Sequence, residues 1–252
     1  MSKIRILVAS LLIFCLVTFI TLLIVIGVSD CVVLPVDAVV RDFAYSIRGE
    51  KYGWFYYVIR FLTDFGDIYV AVLLVLIVGV LTKADYRFFL FGIGIFLSGR
   101  FNSFVKNIYD RPRPFEDFRW QEYNSLTSFS FPSGHSNAAG FLYTYLFYLI
   151  YKLDNIKPAL RKTGLITCAV MIPVIMFTRL IIGVHYFTDV LAGATSGILI
   201  ALLFVYLTEL CKKKNILTTG LWTIVYNKVK KSWYNEKNIY DVSRIINAIN
   251  IL

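Results

Sequence analysis

Long apolar stretches, separated by short polar segments, dominate the chain. Crossing a bilayer as a helix takes roughly 17 to 25 residues. Five stretches are about that long, and a sixth reaches this length if its helix begins near Ser133. The six predicted helices cover residues 6–28, 66–81, 88–105, 133–151, 164–182 and 190–207. The pattern therefore predicts an all-α, polytopic membrane protein with six transmembrane helices.

Composition and charge support this class and predict an orientation. The chain is 58% hydrophobic and has a mean hydropathy of +0.68, more apolar than a soluble domain requires. Its formal net charge is +10. In a six-helix topology, the excess of Lys and Arg lies on the side that holds both termini, and the opposite side is nearly balanced. The positive-inside rule then places both termini in the cytoplasm, so the charge indicates topology and not a nucleic-acid partner.

The chain is predicted to form one six-helix membrane domain over residues 1–210, with its core at 60–210, followed by a basic cytoplasmic tail at 211–252. The first apolar stretch is too long for a signal-peptide core of about 7 to 15 residues and is interpreted as a retained helix. The outer segment 30–65 mixes apolar and charged residues at near-helical spacing, which predicts a location on the outer leaflet. The tail fits either an amphipathic helix against anionic lipid or a solvated segment.

Three short polar segments adjoin the predicted helices, at residues 106–114, 131–136 and 178–189. In the six-helix topology all three open onto the outer face. In the third segment, His185 and Asp189 are four residues apart, a spacing that places both side chains on one face of a helix. The carboxylate can then fix the tautomer of the imidazole and leave Nε2 free as a nucleophile.

The remaining residues of these segments predict a site for a dianionic phosphate. Three cations share the outer face: Lys106, Arg113 and Arg179. Ser133 and Gly134 open the fourth helix, where free N–H groups and the helix dipole favour an anion. His135 can then supply a proton to the leaving group when a phosphoryl group moves to His185.

Each of these residues also has a simpler structural interpretation. His135 alone fits a structural histidine, Ser133 a helix cap, and Lys106 and Arg179 snorkelling side chains at helix ends. Their clustering at membrane depth favours function, because ionisable residues are costly there. A metal centre is the chemical alternative, but two histidines and one carboxylate among several cations disfavour a divalent ion. We therefore predict no metal and no other cofactor.

Together, the segments resemble the three-part signature of the type 2 phosphatidic acid phosphatase superfamily of membrane lipid phosphatases. The matching patterns are Lys106-x6-Arg113-Pro114, Pro132-Ser133-Gly134-His135 and Arg179-x5-His185-x3-Asp189. The resemblance implies that His185 forms a phosphohistidine, that Asp189 orients it and that His135 protonates the leaving group. It also implies that the matches to Lys106, Arg113, Ser133, Gly134 and Arg179 hold the phosphate, and that no metal is required.

Two positions need comment against the family pattern. Thr178 stands where the family usually has Ser, and its hydroxyl can make the same hydrogen bond. Arg111 and Arg113 are both followed by proline; the family spacing selects Arg113, which leaves Arg111 as a predicted head-group contact.

The expected substrate is a lipid phosphate that enters from the membrane. The resemblance leaves open undecaprenyl pyrophosphate, phosphatidylglycerophosphate, phosphatidate and lipid A, and residues 115–131, with Arg119 and Trp120, are expected to help select among them. A lipid phosphotransferase and a non-catalytic head-group binder or transporter are the alternative functions. The expected location is the plasma membrane, with the active site on its periplasmic or extracellular face. The sequence does not indicate the oligomeric state.

Overall fold

The computed structural model describes residues 3–30, 32–48, 52–114, 128–153, 156–216, 220, 223–225 and 227–228. Within these residues the regular secondary structure consists of eight α-helices, so the all-α prediction is confirmed. The helices are α1 (Lys3–Val28), α2 (Pro35–Ile47), α3 (Trp54–Asp64), α4 (Ile68–Leu81), α5 (Tyr86–Tyr109), α6 (Gly134–Lys152), α7 (Pro158–Ile182) and α8 (Phe187–Lys213).

Each of the six predicted apolar stretches corresponds to one helix: α1, α4, α5, α6, α7 or α8. The helix α6 begins at Gly134, directly after Ser133, where the sequence placed its start. The outer segment 30–65 contains the two remaining helices, α2 and α3, as its near-helical spacing indicated. Its position on the outer leaflet stays a prediction.

The described helices give four to five candidate membrane spans. The helices α1 (from Ile6), α5, α7 and α8 are each long and apolar enough to cross a membrane. The helix α4 has 14 residues and is too short alone, but α3 and α4 together meet the criterion as one span bent by 47°. The 19-residue helix α6 does not meet it. The count of six transmembrane helices and the outer-face site therefore stay predictions.

The helix α6 forms the centre of the bundle and packs against α5, α7 and α8. It approaches α8 closely because small residues line the contact. A Cβ atom on Gly193 would overlap the carbonyl oxygen of Ser133, and one on Gly197 would overlap that of Asn137. Close approach through small residues is the usual way in which membrane helices associate. This packing fixes the start of α6 against α8.

The helices at the periphery of the bundle, such as α1 and α4, expose large apolar side chains. Val28 at the end of α1 is 80% exposed, and Tyr69 in α4 is 80% exposed. Such a large apolar exterior is costly in water and favourable in lipid. The surface agrees with the apolar composition of the chain.

Two left-handed residues end the helices that carry polar segments. The helix α5 ends before Asp110, which has φ 44°, and α7 ends before Gly183, which has φ 79°. Gly183 adopts this conformation without the steric cost of a Cβ atom. Both turns redirect the chain, so that residues 110–114 and 183–186 leave their helices on the same side as the start of α6.

Parts of the chain that carried predictions lie outside the described residues. They include Arg119 and Trp120 and most of the tail after Lys213, where α8 ends. The substrate-selecting role of residues 115–131 and both interpretations of the tail stay predictions, as do the domain limits at 60, 210 and 211.

Candidate active site

The structure brings the three polar segments together at one end of the bundle. Lys106 lies in the last turn of α5, His135 in the first turn of α6, and Asp189 in the first turn of α8. Arg179 lies in the last turn of α7, and His185 in the loop that follows. Electrostatic effects of Arg113, Lys106 and Arg179 reach both histidines. Residues up to 83 positions apart in sequence thus surround a common centre.

A cavity of about 340 Å³ opens beside this centre. Its wall comes from the turn between α3 and α4, one face of α5 and the start of α6. The lining includes Gly66, Asp67, Ile68, Ala71, Ile95, Gly99, Asn102, Ser103, Lys106, Ser128, Gly134 and His135. Three of the predicted site residues, Lys106, Gly134 and His135, therefore face a space that can hold a head group. His185 is only 4% exposed.

His185 and Asp189 are close but not directly hydrogen-bonded. They do not share a helix face as the sequence interpretation expected, because α8 begins at Phe187 and His185 precedes it. Nδ1 of His185 lies 3.7 Å from Oδ2 of Asp189, beyond normal hydrogen-bond length. The hydroxyl of Ser130 contacts both groups: it donates to Oδ2 of Asp189 at 2.5 Å and lies 3.4 Å from Nδ1 of His185. The carboxylate therefore reaches the imidazole through a third residue.

Arg111 does not contact a head group, so this part of the sequence interpretation is wrong. The side chain is fully buried and forms ion pairs of 2.6 Å with both Asp37 and Asp189. It also donates to the hydroxyl of Thr188 at 2.8 Å. A buried guanidinium needs such charged and polar partners to offset its desolvation. Arg111 thus holds Asp189 in place from behind the site.

Arg113 lies between the cavity wall and His185. Its Nη2 donates to the hydroxyl of Ser128, which lines the cavity, at 2.9 Å. Its Nη1 donates to the carbonyl of Val184 at 2.9 Å and lies 3.4 Å from Nε2 of His185. The guanidinium therefore stands beside the ring nitrogen that the sequence predicts as the nucleophile.

The other two cations are held by hydroxyl or carbonyl groups. Nζ of Lys106 donates to the carbonyl of Phe129 at 2.7 Å. Nη1 of Arg179 donates to the hydroxyl of Thr63 in α3 at 2.9 Å. The hydroxyl of Thr178 donates to the carbonyl of Ile175 in its own helix at 2.7 Å and lies 3.1 Å from the hydroxyl of Thr63, from which it can accept. The family position that Thr178 occupies thus helps to orient Thr63 beside Arg179.

The start of α6 has the geometry of an anion site. Ser133 occupies the N-cap position, but its hydroxyl does not cap the first-turn N–H groups among the described residues. It accepts instead from the hydroxyl of Ser136 at 3.2 Å. The space beside Gly134 is open, since a Cβ atom there would lie 3.8 Å from Nδ2 of Asn102. An anion can therefore approach the N–H groups of this helix end.

Residues 87–213, half of the chain, match the PAP2 superfamily. The chain belongs to this superfamily. The resemblance stated for the three polar segments is therefore confirmed, and all three segments lie inside the matched region. The matched region begins at the second residue of α5 and ends at the last residue of α8.

One sequence match and one structure match, both from Bacillus subtilis, describe the PAP2 relationship in more detail. Over 99 residues, the chain is 35% identical to phosphatidylglycerophosphatase B of Bacillus subtilis (strain 168). That alignment covers 39% of this chain and 47% of the relative, which is less than half of its length. A crystal structure of a transmembrane PAP2 type phosphatidylglycerolphosphate phosphatase from Bacillus subtilis is 26% identical and superposes with a TM-score of 0.66. It covers 79% of this chain and 96% of the solved one, so the chain is a multi-pass membrane protein of the PAP2 fold.

The environment of His185 favours the neutral form of its imidazole. Burial holds the pKa of His185 well below its usual value, and the positive charges of Arg113, Lys106 and Arg179 lower this pKa further. Both effects disfavour the protonated ring. One of the two ring nitrogens of His185 therefore carries a lone pair at neutral pH.

Several residues that contact the PAP2 site were not singled out from the sequence: Asp37, Thr63, Ser128, Ser130 and Thr188. Asp37 is fully buried, although it lies in the otherwise amphipathic helix α2. Ser128 and Ser130 directly precede the Pro-Ser-Gly-His segment and contact Arg113 and His185. The available signal was the row of hydroxyl residues before Pro132, which an analysis centred on charged side chains did not weigh.

The donor set of the described residues does not form a metal centre, since no three His, Cys, Asp or Glu side chains group suitably. The prediction that the reaction of this PAP2 protein requires no metal stays a prediction.

Proposed function

We propose that the protein is a membrane lipid phosphatase that transfers the phosphoryl group of its substrate to His185 and then to water. The observation that carries this proposal is the arrangement around His185. A buried carboxylate lies behind Nδ1, Arg113 lies 3.4 Å from Nε2, and further cations face the same centre. Such an arrangement suits a neutral nucleophile that meets an anionic phosphate.

The first step forms a bond from Nε2 of His185 to phosphorus. The bond between phosphorus and the lipid oxygen breaks, and this oxygen takes a proton from His135, which becomes neutral. In the unliganded site, burial and the positive charges of Arg179, Arg113 and Lys106 disfavour the protonated form of His135. A bound dianionic phosphate offsets these positive charges and so favours the protonated imidazole that this step requires.

The second step reverses these roles. Neutral His135 takes a proton from water while the water oxygen attacks phosphorus. The bond from phosphorus to Nε2 breaks, its electron pair returns to His185, and inorganic phosphate leaves. Both histidines end the cycle as they began it.

The phosphate oxygens are held by positive charge and N–H groups. Arg113 and Arg179 can each give paired N–H donors, Lys106 a single ammonium, and the start of α6 its backbone N–H groups. These groups can balance the charge of the transition state, which in other phosphatases a divalent metal balances. We therefore expect catalysis without a metal.

Phosphatidylglycerophosphate is the first substrate to test, because both relatives carry this substrate class in their names. The cavity is compatible with a lipid head group, because its wall combines apolar residues such as Ile68 and Ile95 with the polar Lys106 and His135. The positive-inside rule favours an active site on the outer face of the plasma membrane.

Release of inorganic phosphate from a panel of lipid phosphates, in detergent and with a chelator, tests the proposal. The panel contains phosphatidylglycerophosphate, phosphatidate, undecaprenyl pyrophosphate and lipid A. We expect release from at least one lipid, and a loss of at least about 10³-fold in a His185→Ala variant. Full activity in that variant excludes the phosphohistidine route, and activity lost with chelator but restored by a divalent cation excludes metal independence.

Labelled substrate separates hydrolysis from transfer. Label found as inorganic phosphate supports the phosphatase, and label found mainly on a second lipid supports a phosphotransferase. Binding of phospholipid without any turnover supports the non-catalytic alternative.

A further inference from the structure

We infer that Ser130 is a positioning residue that joins His185 to Asp189 by a two-bond hydrogen-bond relay. This inference rests on the proposed function, in which His185 is the nucleophile. Ser130 is fully buried and lies three residues before Ser133, in the segment that leads into α6. Its role is to determine which ring nitrogen of His185 carries the proton, without taking part in the phosphoryl transfer itself.

The distances favour the relay over a direct contact. The hydroxyl oxygen of Ser130 is 2.5 Å from Oδ2 of Asp189 and 3.4 Å from Nδ1 of His185. The direct separation of Nδ1 and Oδ2 is 3.7 Å. Both contacts of Nδ1 are longer than a normal hydrogen bond to oxygen, and the contact with Ser130 is the shorter of the two. Ser130 is thus the closer partner of Nδ1.

The donor capacities of the groups fix the direction of the relay. A carboxylate only accepts hydrogen bonds, so the single hydroxyl proton of Ser130 points at Asp189. The lone pairs of the Ser130 hydroxyl then remain for His185, so Nδ1 is the donor in this contact. The backbone of Ser130 is a second hydrogen-bond partner of the ring, so the same residue holds it twice. The relay therefore favours the tautomer with the proton on Nδ1.

The other side of the ring gives independent support. Arg113 lies 3.4 Å from Nε2 of His185. A guanidinium can only donate, so Nε2 presents its lone pair to Arg113. Ser130 and Arg113 thus select the same tautomer, which is the one that leaves Nε2 nucleophilic.

Other hydrogen bonds hold the carboxylate of Asp189 in place, so it cannot shift slightly and bond directly to Nδ1 of His185. Its Oδ2 also accepts from the backbone N–H of Tyr186 at 2.8 Å, and its Oδ1 accepts from Arg111 at 2.6 Å. The backbone of Ser130 is fixed as well, because its N–H donates to the carbonyl of Arg111 at 2.7 Å. The hydroxyl therefore sits in a fixed gap between two fixed groups.

The relay has a chemical consequence in the proposed first step. When Nε2 bonds to phosphorus, the ring still carries its Nδ1 proton and becomes positively charged. The hydroxyl of Ser130 accepts from this Nδ1–H and passes the effect of the Asp189 charge to it. The relay thus orients the ring before attack and stabilises the charge that develops during it.

Three substitutions at position 130 test the inference. Ser130→Ala removes the hydroxyl, and Ser130→Thr keeps it. Ser130→Val has nearly the shape of Thr without the hydroxyl, so the Thr and Val variants share any cost of the extra bulk. Ser46→Ala serves as a serine control, because Ser46 is exposed in α2 and donates to the carbonyl of Phe43 in its own helix.

The first readout is the tautomer of His185, measured from ¹⁵N chemical shifts of the labelled protein in detergent. The chain has only two histidines, so a His135→Gln background leaves one set of signals. We expect a protonated Nδ1 in the unsubstituted ring and in the Thr variant, and a mixture of tautomers in the Ala and Val variants. A single Nδ1–H tautomer in all of them overturns the inference.

The second readout is turnover of the lipid that the substrate panel identifies. We expect kcat to fall about 10- to 100-fold in the Ala and Val variants, with KM changed less than threefold, because the nucleophile is misoriented and the phosphate contacts remain. The Thr variant should retain more activity than Val by at least about tenfold. Equal loss in Thr and Val indicates a packing role and contradicts the relay.

The two readouts separate this inference from the proposed function. Absence of turnover on every lipid, together with the expected tautomer changes, removes the phosphatase proposal and keeps the relay. Normal turnover that His185→Ala abolishes, together with an unchanged tautomer in Ser130→Ala, keeps the phosphatase and removes the relay.

Discussion

Arg111 and Arg113 lie two residues apart, and each precedes a proline, yet the fold uses them in opposite ways. Arg111 is fully buried in ion pairs with Asp37 and Asp189. Arg113 is only partly buried, stands beside His185, the proposed nucleophile, and contacts a serine that lines the cavity. Arg111 fixes the position of Asp189, and Arg113 faces the place where the phosphate is proposed to bind. Proximity in sequence therefore does not imply a shared role.

The local backbone offers a reason for this division. A residue before proline favours the extended polyproline II conformation, which has three residues per turn. Side chains two positions apart then point in different directions. The Arg-Pro-Arg-Pro sequence thus sends one guanidinium toward α2 and α8 and the other toward His185.

Replacing each arginine in turn by Met should give the clearest difference between the two positions. We expect Arg111→Met to lower the free energy of unfolding by about 3 to 5 kcal/mol, because Asp37 and Asp189 lose their buried counter-charge. We expect Arg113→Met to change it by less than about 1 kcal/mol, and to abolish most phosphate release. Thermal unfolding in detergent, measured beside the activity, checks both. A stable Arg111→Met protein would contradict the anchoring role.

A second change should partly rescue the first. In Arg111→Met, the unpaired Asp37 carboxylate is a main source of the expected loss. We expect Asp37→Asn to recover about 1 to 2 kcal/mol in the Arg111→Met background, and to destabilise the otherwise unchanged protein. The same thermal measurement on the four proteins of this cycle gives the coupling. Additive effects would mean that the ion pair contributes no coupling between these two residues.

The sequence predicted the parts of this protein that depend on pattern and spacing. The apolar stretches predicted six of the eight described helices, the turn at Ser133 predicted the start of α6, and the four-residue separation predicted that His185 and Asp189 lie close together, which they do at 3.7 Å. It also gave the PAP2 family, since three motifs in order are far more specific than one.

The parts that the sequence did not predict depend on contacts between distant segments. The partner of Arg111 is Asp37, 74 positions away, and nothing in the spacing of either residue indicates the other. Thr63 meets Arg179 across 116 positions for the same reason. A direct contact between His185 and Asp189 was the natural expectation from their spacing, but His185 precedes α8, and the hydroxyl of Ser130 from the segment before α6 lies between them.

The Arg113→Lys variant tests whether position 113 needs more than a positive charge, because it keeps the charge and removes the forked guanidinium group. A lysine ammonium cannot form two parallel hydrogen bonds to phosphate. We expect kcat/KM to fall about 10- to 100-fold with an unchanged unfolding temperature. Steady-state kinetics on the lipid identified by the panel checks this. Wild-type kinetics in this variant would show that only the positive charge at position 113 is needed.

The smallest expected effect concerns the pKa of His185. Arg113 is one of the charges that lower this pKa. Burial, together with Arg113, Lys106 and Arg179, holds this pKa well below about 6.5. The unfolded chain therefore takes up a proton near pH 6.5, where the folded chain does not, so the contribution of His185 to stability is complete above that pH and falls as the pH drops below it. In Arg113→Gln one lowering charge is gone, and we expect the pKa of His185 to rise toward its usual value, so that less stability is lost in acid. A ¹⁵N titration of His185 without substrate measures both values; a pKa near 6.5 in the unsubstituted protein would contradict the buried, cation-flanked imidazole.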